Sequence, residues 1–205
     1  MRRWLVSIVV VSAMTAWASP SRACLWGPPP KRVDPRKLDV IAAERALAGG
    51  DHDKAVRLAK RAAPGIVRLG PPDPKSRIAG RAQRTLALAA VRSGGAIAVA
   101  RGIGGDGDYP KQVALAWAGL TLTWHAALAS GNLLVRSQLA EALAADPYQV
   151  ERAREMLREL ADRDVMPTAR GYAVLARLES DTGRRDTALA RCEELGGAAV
   201  CRIGA

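Results

Sequence analysis

The chain has 205 residues, of which 49% are hydrophobic, and it carries a formal net charge of +11. The apolar residues are mainly Ala, Leu and Val, with 4% aromatic residues and no Phe, so the composition favours closely packed helices and argues against a sheet. The length allows one domain or one short array of repeats, and only two histidines are available for chemistry.

Residues 1–23 have the pattern of a secretory signal segment. Arg2 and Arg3 form a positively charged start. The apolar run from Trp4 to Ala18 is too short for a membrane span and contains too many Ser and Thr residues for one. An uncleaved anchor is the alternative. The segment predicts an extracytoplasmic protein, either periplasmic or secreted.

Two positions fit the small-residue rule for signal cleavage, after Ala18 and after Ala23. Cleavage after Ala23 would make Cys24 the first residue, where a lipid could be attached. Ser21 and Arg22 fit a lipobox poorly, so lipidation of Cys24 and a free N-terminus both stay open. If Cys24 carries lipid, the protein is anchored to a membrane.

Residues 24–37 are rich in proline, which fixes its own backbone and biases the preceding residue towards extended conformations. This composition predicts an irregular N-terminal arm. We expect the helical domain to run from 38 to 205, with a possible break at the glycine-rich loop 102–110.

Apolar residues at helical spacing, preceded by capping residues, predict helices through most of this domain. Asp51 or Asp53 caps a helix that Pro64 stops, and Ser76 caps the next helix. The other predicted helices before residue 165 are Leu38–Leu47, Lys111–Ala129, Leu133–Ala145 and Tyr148–Arg163.

The stretch from Pro167 to Leu195 predicts two short amphipathic helices around a turn at residues 181–183. Thr168 can cap the first helix, and Gly183 tolerates the left-handed conformation that ends one. Two such helices cannot bury their apolar faces alone, so they need neighbours of the same kind.

This hairpin resembles a tetratricopeptide repeat. The residues at the family's consensus positions are Tyr172, Leu175 and Ala176 in the first helix, and Ala188 and Cys192 in the second. The match is partial, because Glu179 replaces the family's second aromatic and Leu195 replaces its late alanine.

Weaker echoes of the same repeat occur earlier in the chain, at 46–56 and at 142–147, the latter preceded by a turn at 130–132. Two sets of residues are related by a common offset of 35, near the family's repeat length: Leu143, Ala153 and Leu160, and Leu178, Ala188 and Leu195. Whether Leu133–Ala145 is the second helix of one unit or the first of the next stays open.

The resemblance implies stacked antiparallel helical hairpins that form a short tetratricopeptide-like α-solenoid. It also implies a non-catalytic scaffold that binds a partner protein or peptide through a groove. The candidate surface residues are Trp117, Leu120 and Trp124, with Arg77, Arg81 and Arg84 as an electrostatic rim. The tryptophans could equally be core residues in a protein that lacks Phe.

The charge is distributed unevenly. Between Asp51 and Arg101 there are eleven basic and three acidic residues, whereas from Gly102 onward there are twelve basic and fourteen acidic. The basic region 54–101 therefore suggests a second function, salt-sensitive binding of an anionic polymer or a membrane surface. A solvated arginine-rich face is the alternative.

No motif predicts catalysis, a cofactor or a small-molecule substrate. Gly102, Gly104 and Gly107 match G-x-G-x-x-G, but a dinucleotide site needs a helix at the last glycine and an acid about twenty residues later. Pro110 argues against a helix that begins at Gly107, and no acid lies between Asp108 and Glu141. A flexible inter-repeat loop fits this segment better.

His125 has no partner at ligand spacing, so a packed or surface histidine is expected rather than a catalyst. Cys192 and Cys201 lie nine residues apart without a nearby histidine, which argues against a metal site. In an oxidising compartment they could form a disulfide, and otherwise Cys192 is a core residue and Cys201 a free thiol.

Overall fold

The computed structural model describes residues 34–67, 71–73, 75–196 and 198–202, and the chain is all-helical over these ranges. The helices are α1 Pro35–Ala48, α2 His52–Ala62, α3 Arg77–Arg92, α4 Asp108–Leu128, α5 Leu133–Leu143, α6 Val150–Asp162, α7 Ala169–Leu178, α8 Thr182–Gly196 and α9 Ala198–Arg202. The all-α class predicted from composition is confirmed. The predicted signal segment, Cys24 and most of the proline-rich arm lie outside the described residues.

Side-chain caps set the starts of most helices. At the starts of α2, α3, α5 and α7, Asp51, Ser76, Asn132 and Thr168 each accept a hydrogen bond from the backbone N–H three residues ahead. These bonds satisfy N–H groups that have no partner within the helix. Helix starts were therefore predictable wherever the cap stands next to an amphipathic run.

Two helices begin three residues earlier than the periodicity predicts. The side chain of Asp34 accepts from Arg36 N, and Pro35 occupies the first helical position, so the end of the expected arm belongs to α1. Helix α4 begins at Asp108, directly after Gly107, so the expectation that Pro110 prevents a helix there was wrong. Pro110 stands in the first turn, where a missing N–H costs nothing, and the dinucleotide motif still lacks its acid.

The turn of the C-terminal hairpin also differs from the prediction. Helix α7 ends at Leu178, and α8 begins at Thr182, so Gly183 lies in the first turn of α8 and does not end α7. Asp181 provides the cap, since its Oδ1 accepts from Arg184 N at 2.8 Å.

The glycine-rich segment before α4 is packed against its surroundings. Gly95 and Gly104 have positive φ, and a Cβ at either would lie within 2.5 Å of backbone oxygen, of Lys111 and Ile97 respectively. Val99 between them is fully buried. Val33–Ala205 form one compact unit, and loop 102–110 lies within it.

The helices pack in a regular order. Each helix contacts the next one along the chain, and α1 also packs on α3, α3 on α5, α5 on α7 and α7 on α9. We call α1, α3, α5 and α7 the odd row. Within the described residues, no contact of similar extent links α2, α4, α6 and α8 to one another.

Helix α3 lies at the centre of this packing. Its residues from Thr85 to Val91 are all buried, because α1, α2, α4 and α5 surround it. Alanines such as Ala89 and Ala90 are fully buried there, which lets the helices approach closely. In the described part of the chain, no helix combines the length and apolarity needed to cross a bilayer.

Candidate partner-binding pocket

A pocket of about 360 Å³ lies on the odd row, between α1, α3 and α5. It is lined by Glu44 and Leu47 of α1, by Arg81, Arg84, Thr85, Leu88 and Arg92 of α3, and by Leu134 and Gln138 of α5. Three arginines against one glutamate make the lining basic, and the three leucines give it an apolar part.

The arginines share one stripe of α3. Arg81, Arg84, Leu88 and Arg92 follow one another at intervals of three or four residues, which places them on one helical face. These three arginines are half-buried, whereas the residues of α3 from Thr85 to Val91 are buried, so in this part of the helix the arginine side chains are the groups that a ligand can reach.

Two of the pocket arginines are held by carboxylates. Arg81 donates from Nε to Glu44 Oε1 at 2.9 Å and from Nη2 to Oε2 at 2.5 Å. Arg92 donates from Nε and Nη2 to the two oxygens of Glu141 at 2.8 and 3.0 Å. Both pairs are bidentate, a geometry that fixes the guanidinium plane.

Glu141 links three helices of the odd row. Its side chain on α5 is buried, and it also accepts from Arg170 Nε of α7 at 2.7 Å. Burial opposes the charged form, but Arg92 and Arg170 outweigh burial and keep the pKa of Glu141 below its ordinary value. The carboxylate therefore stays ionised and ties α3, α5 and α7 together.

Arg84 is the pocket arginine without such a pair. No described residue forms a hydrogen bond with its guanidinium, and the side chain is half-buried. Burial lowers the pKa of Arg84, Glu44 opposes that effect, and the neighbouring Arg81 adds to it. In the same pocket the buried Oε1 of Gln138 has no hydrogen-bond partner.

His125 is a packed histidine. Its side chain is buried and its Nε2 lies 3.2 Å from Gln83 Oε1. Burial lowers the pKa of His125 to about 4, with a further contribution from the charge of Arg84. The imidazole is therefore neutral near pH 7.

The structure separates the six residues expected to form one binding surface. Arg81 and Arg84 line the pocket, whereas Arg77 lies on a different groove near Pro64 and Lys75. Trp117 is only 3% exposed, and its burial in the core corrects the expectation that it lines a surface. Leu120, which is exposed, and Trp124, which is half-buried, lie on α4 away from the pocket lining.

The carboxylates of this site and its lining residues on α5 were not predicted from the sequence. Glu44 and Glu141 meet arginines that lie 37 and 49 residues away along the chain, so no local pattern reveals the pairs. One signal was present, because Glu141 is the single acid of the Leu133–Ala145 segment and lies between apolar residues. An acid on such a face indicates a buried cationic partner.

The basic region 54–101 is partly neutralised. Arg61 pairs with Asp39, in addition to the pairs of Arg81 and Arg92, and Arg68 lies outside the described residues. Among the described residues of this region, the exposed basic side chains are Lys54, Arg57, Arg61, Lys75, Arg77 and Arg101.

Two further features lie at the C-terminal end. A pocket of about 510 Å³ between α6, α7 and α8 is lined by arginines and carboxylates that pair with each other, such as Arg158 and Glu179. Cys192 and Cys201 form a disulfide that joins α8 to α9. Among the described residues, no group of three or more His, Cys, Asp or Glu side chains could hold a metal ion.

No family model, curated protein or solved structure matches this chain. The resemblance to tetratricopeptide repeats therefore remains a prediction.

Proposed function

We propose that the protein is a non-catalytic extracytoplasmic scaffold that binds a peptide or a partner protein along the odd row. The observation that carries this proposal is the pocket between α1, α3 and α5, which combines charged and apolar lining on one continuous row of helices. The proposed architecture is a short tetratricopeptide-like α-solenoid.

The packing order supports that architecture. In such an array the first helices of successive hairpins lie side by side, and contacts from α1 through α3 and α5 to α7 agree with this arrangement. The 35-residue offset equates α5–α6 with α7–α8, which favours α5 as the first helix of its hairpin.

The chemistry of the lining supports binding. Arg81 and Arg92 are fixed by carboxylates on other helices, and the Thr85 hydroxyl donates to Arg81 O at 3.0 Å. A pocket whose side chains are already ordered loses little conformational freedom when a ligand enters. These groups offer charge, hydrogen bonds and apolar contact to an extended segment.

The signal-like residues 1–23 and the disulfide support an extracytoplasmic location. Disulfides persist in oxidising compartments such as the periplasm and the cell exterior. Cys192 and Cys201 are bonded here, and Cys192 is fully buried.

The alternative function is binding of an anionic polymer or membrane surface through region 54–101. The exposed side chains of Lys54, Arg57, Lys75, Arg77 and Arg101 favour it. Such binding would weaken steeply with salt, because it depends on releasing counterions.

Affinity capture from the protein's own envelope fraction tests the proposal, with washes at low and then high salt. Wild-type protein is compared with Leu134→Glu, which changes an exposed leucine of the pocket, and with Leu128→Glu, which changes an exposed leucine on α4. We expect a protein partner that survives the high-salt wash on wild type and Leu128→Glu and is lost from Leu134→Glu.

Retention of that partner by Leu134→Glu, together with its loss from Leu128→Glu, would contradict the proposed surface. Release of all bound material by salt, with nucleic acid or anionic lipid in the eluate, would favour the alternative function.

A further inference from the structure

Building on the proposed function, we infer that the pocket between α1, α3 and α5 receives a glutamate side chain from an acidic segment of the partner, with Arg84 as its ion-pair partner. The inference narrows the ligand from any peptide to one that carries carboxylates. Two of the three pocket arginines, Arg81 and Arg92, already pair with carboxylates of the protein, whereas Arg84 does not.

Arg84 is the cation left over when the pairs are counted. Arg81 uses Nε and Nη2 on Glu44, and Arg92 uses the same two groups on Glu141. The Arg84 guanidinium presents five N–H donors, and none of them meets an acceptor among the described residues. A half-buried cation in this state gains more from a carboxylate than an exposed one does.

Gln138 supplies a second polar group in the same pocket. Its Oε1 is buried and has no hydrogen-bond partner, although buried polar atoms of proteins are nearly always paired. The Nε2 of the same carboxamide is not enclosed in this way, and it is the group that can donate to a carboxylate in the pocket. Gln138 therefore adds a hydrogen-bond donor to the charge of Arg84.

The charge and shape of the pocket favour a single carboxylate over a phosphate. One unpaired guanidinium matches one negative charge, whereas a phosphate dianion would leave a charge uncompensated. The leucine side chains of Leu47, Leu88 and Leu134 face the same space of about 360 Å³. The methylene groups of a glutamate, and an apolar neighbour in the segment, can pack on them.

Fluorescence anisotropy with defined peptides tests the inference. The probes are a short labelled peptide of Leu, Ser and Glu with an amidated C-terminus, the same peptide with Gln in place of Glu, and the Gln peptide with a free C-terminal carboxylate. We expect wild-type protein to bind the Glu peptide at least about 10-fold more tightly than the amidated Gln peptide.

Two variants test whether the preference for the Glu peptide depends on Arg84. Arg84→Gln is expected to bind the Glu and Gln peptides alike. Arg77→Gln, which removes an exposed arginine of the same helix outside the pocket, is expected to keep the preference. The thermal midpoint of Arg84→Gln should equal or exceed that of wild type, because burial disfavours this cation more than the charge of Glu44 favours it.

Four results would overturn the inference: equal affinity for the two amidated peptides, a preference that survives Arg84→Gln, tighter binding of the free C-terminus than of the Glu peptide, or binding of no probe. A thermal midpoint lowered by several degrees in Arg84→Gln would show a structural role instead. If both amidated peptides bind alike and Leu134→Glu abolishes both, the groove still binds peptides and only its acidic preference fails.

Discussion

His125 illustrates how a single residue acquires its properties from packing. The sequence offers a lone histidine on the most apolar helix, and the structure buries it beside Gln83 and near Arg84. Because both burial and Arg84 disfavour the imidazolium, protonation of His125 opposes folding.

The unfolding free energy should therefore depend on pH through His125. Its folded pKa of about 4 lies below the ordinary value of 6.5, so the unfolded state binds more protons between these values and stability falls as pH drops. From pH 7 to pH 5 the loss should be about 2 kcal/mol in urea unfolding. His125→Gln should remove this part of the slope, and an unchanged slope in that variant would refute the assignment.

Glu179 stands at a position where the chain does not match the tetratricopeptide pattern that it partly resembles. At the position of the family's second aromatic, the chain has a carboxylate that is buried at the end of α7. Arg158 of α6 donates to both of its oxygens, at 2.6 and 2.5 Å, and these bonds lower the pKa of Glu179. An ion pair between helices thus stands where the family has aromatic packing.

The two partners should differ in what their removal costs. Arg158→Ala leaves a buried carboxylate without its main partner and should destabilise the fold more than Glu179→Gln does. Glu179→Gln keeps an acceptor, and Arg158 can reach water because its side chain is 35% exposed, so the cost should be about 1 kcal/mol. Urea unfolding at pH 7 measures both, and the reverse order would contradict this assignment.

At the scale of elements, helix positions were largely predictable and helix partners were not. Local signals such as the caps Asp51 and Ser76 determine where helices begin, because the bonds they make span three residues. Helix α9 was missed because five residues give too short a periodic pattern. The pocket was missed because Glu44 and Glu141 reach across the chain to arginines of α3.

The Glu141 cluster should stabilise the odd row more than surface ion pairs do. Glu141→Gln removes the charge that Arg92 and Arg170 share, so two partly buried guanidinium groups lose their counterion. We expect a loss of about 2 to 4 kcal/mol in unfolding free energy.

Glu159→Gln is the matched control for that substitution. Glu159 also contacts two arginines, but its side chain is 47% exposed, so we expect a much smaller loss than for Glu141→Gln. Equal effects of the two substitutions would show that the Glu141 cluster contributes no more than a surface pair.

At the scale of the whole molecule, the disulfide holds the C-terminal end of the array together. Helix α9 packs on α7 and α8, and the bond between Cys192 and Cys201 fixes it there. A five-residue helix cannot persist alone, so its position depends on this link and on packing.

Removal of the bond should loosen this end without unfolding the pocket. A Cys192→Ala/Cys201→Ala variant should lose about 2 to 3 kcal/mol, because the closed loop of the unfolded chain is released. Hydrogen exchange should show faster exchange in α9 and unchanged protection in α3. Wild-type protein in reductant should behave like the variant, and unaltered stability in both would contradict this role.

The row of α1, α3, α5 and α7 gives the molecule one surface that combines a pocket, paired charges and an unpaired arginine. The opposite helices offer exposed apolar residues such as Leu120, which the sequence alone favoured as a binding residue. We propose that partners bind on the odd row.

Site-specific photo-crosslinking can show on which row the partner binds. A photoreactive amino acid replaces either Leu134, at the pocket, or Leu120, on α4, in cells that make the protein naturally. We predict a discrete crosslinked protein adduct from position 134 that Arg84→Gln weakens, and no such adduct from position 120. An adduct from position 120 alone would place the partner on α4 and contradict the account.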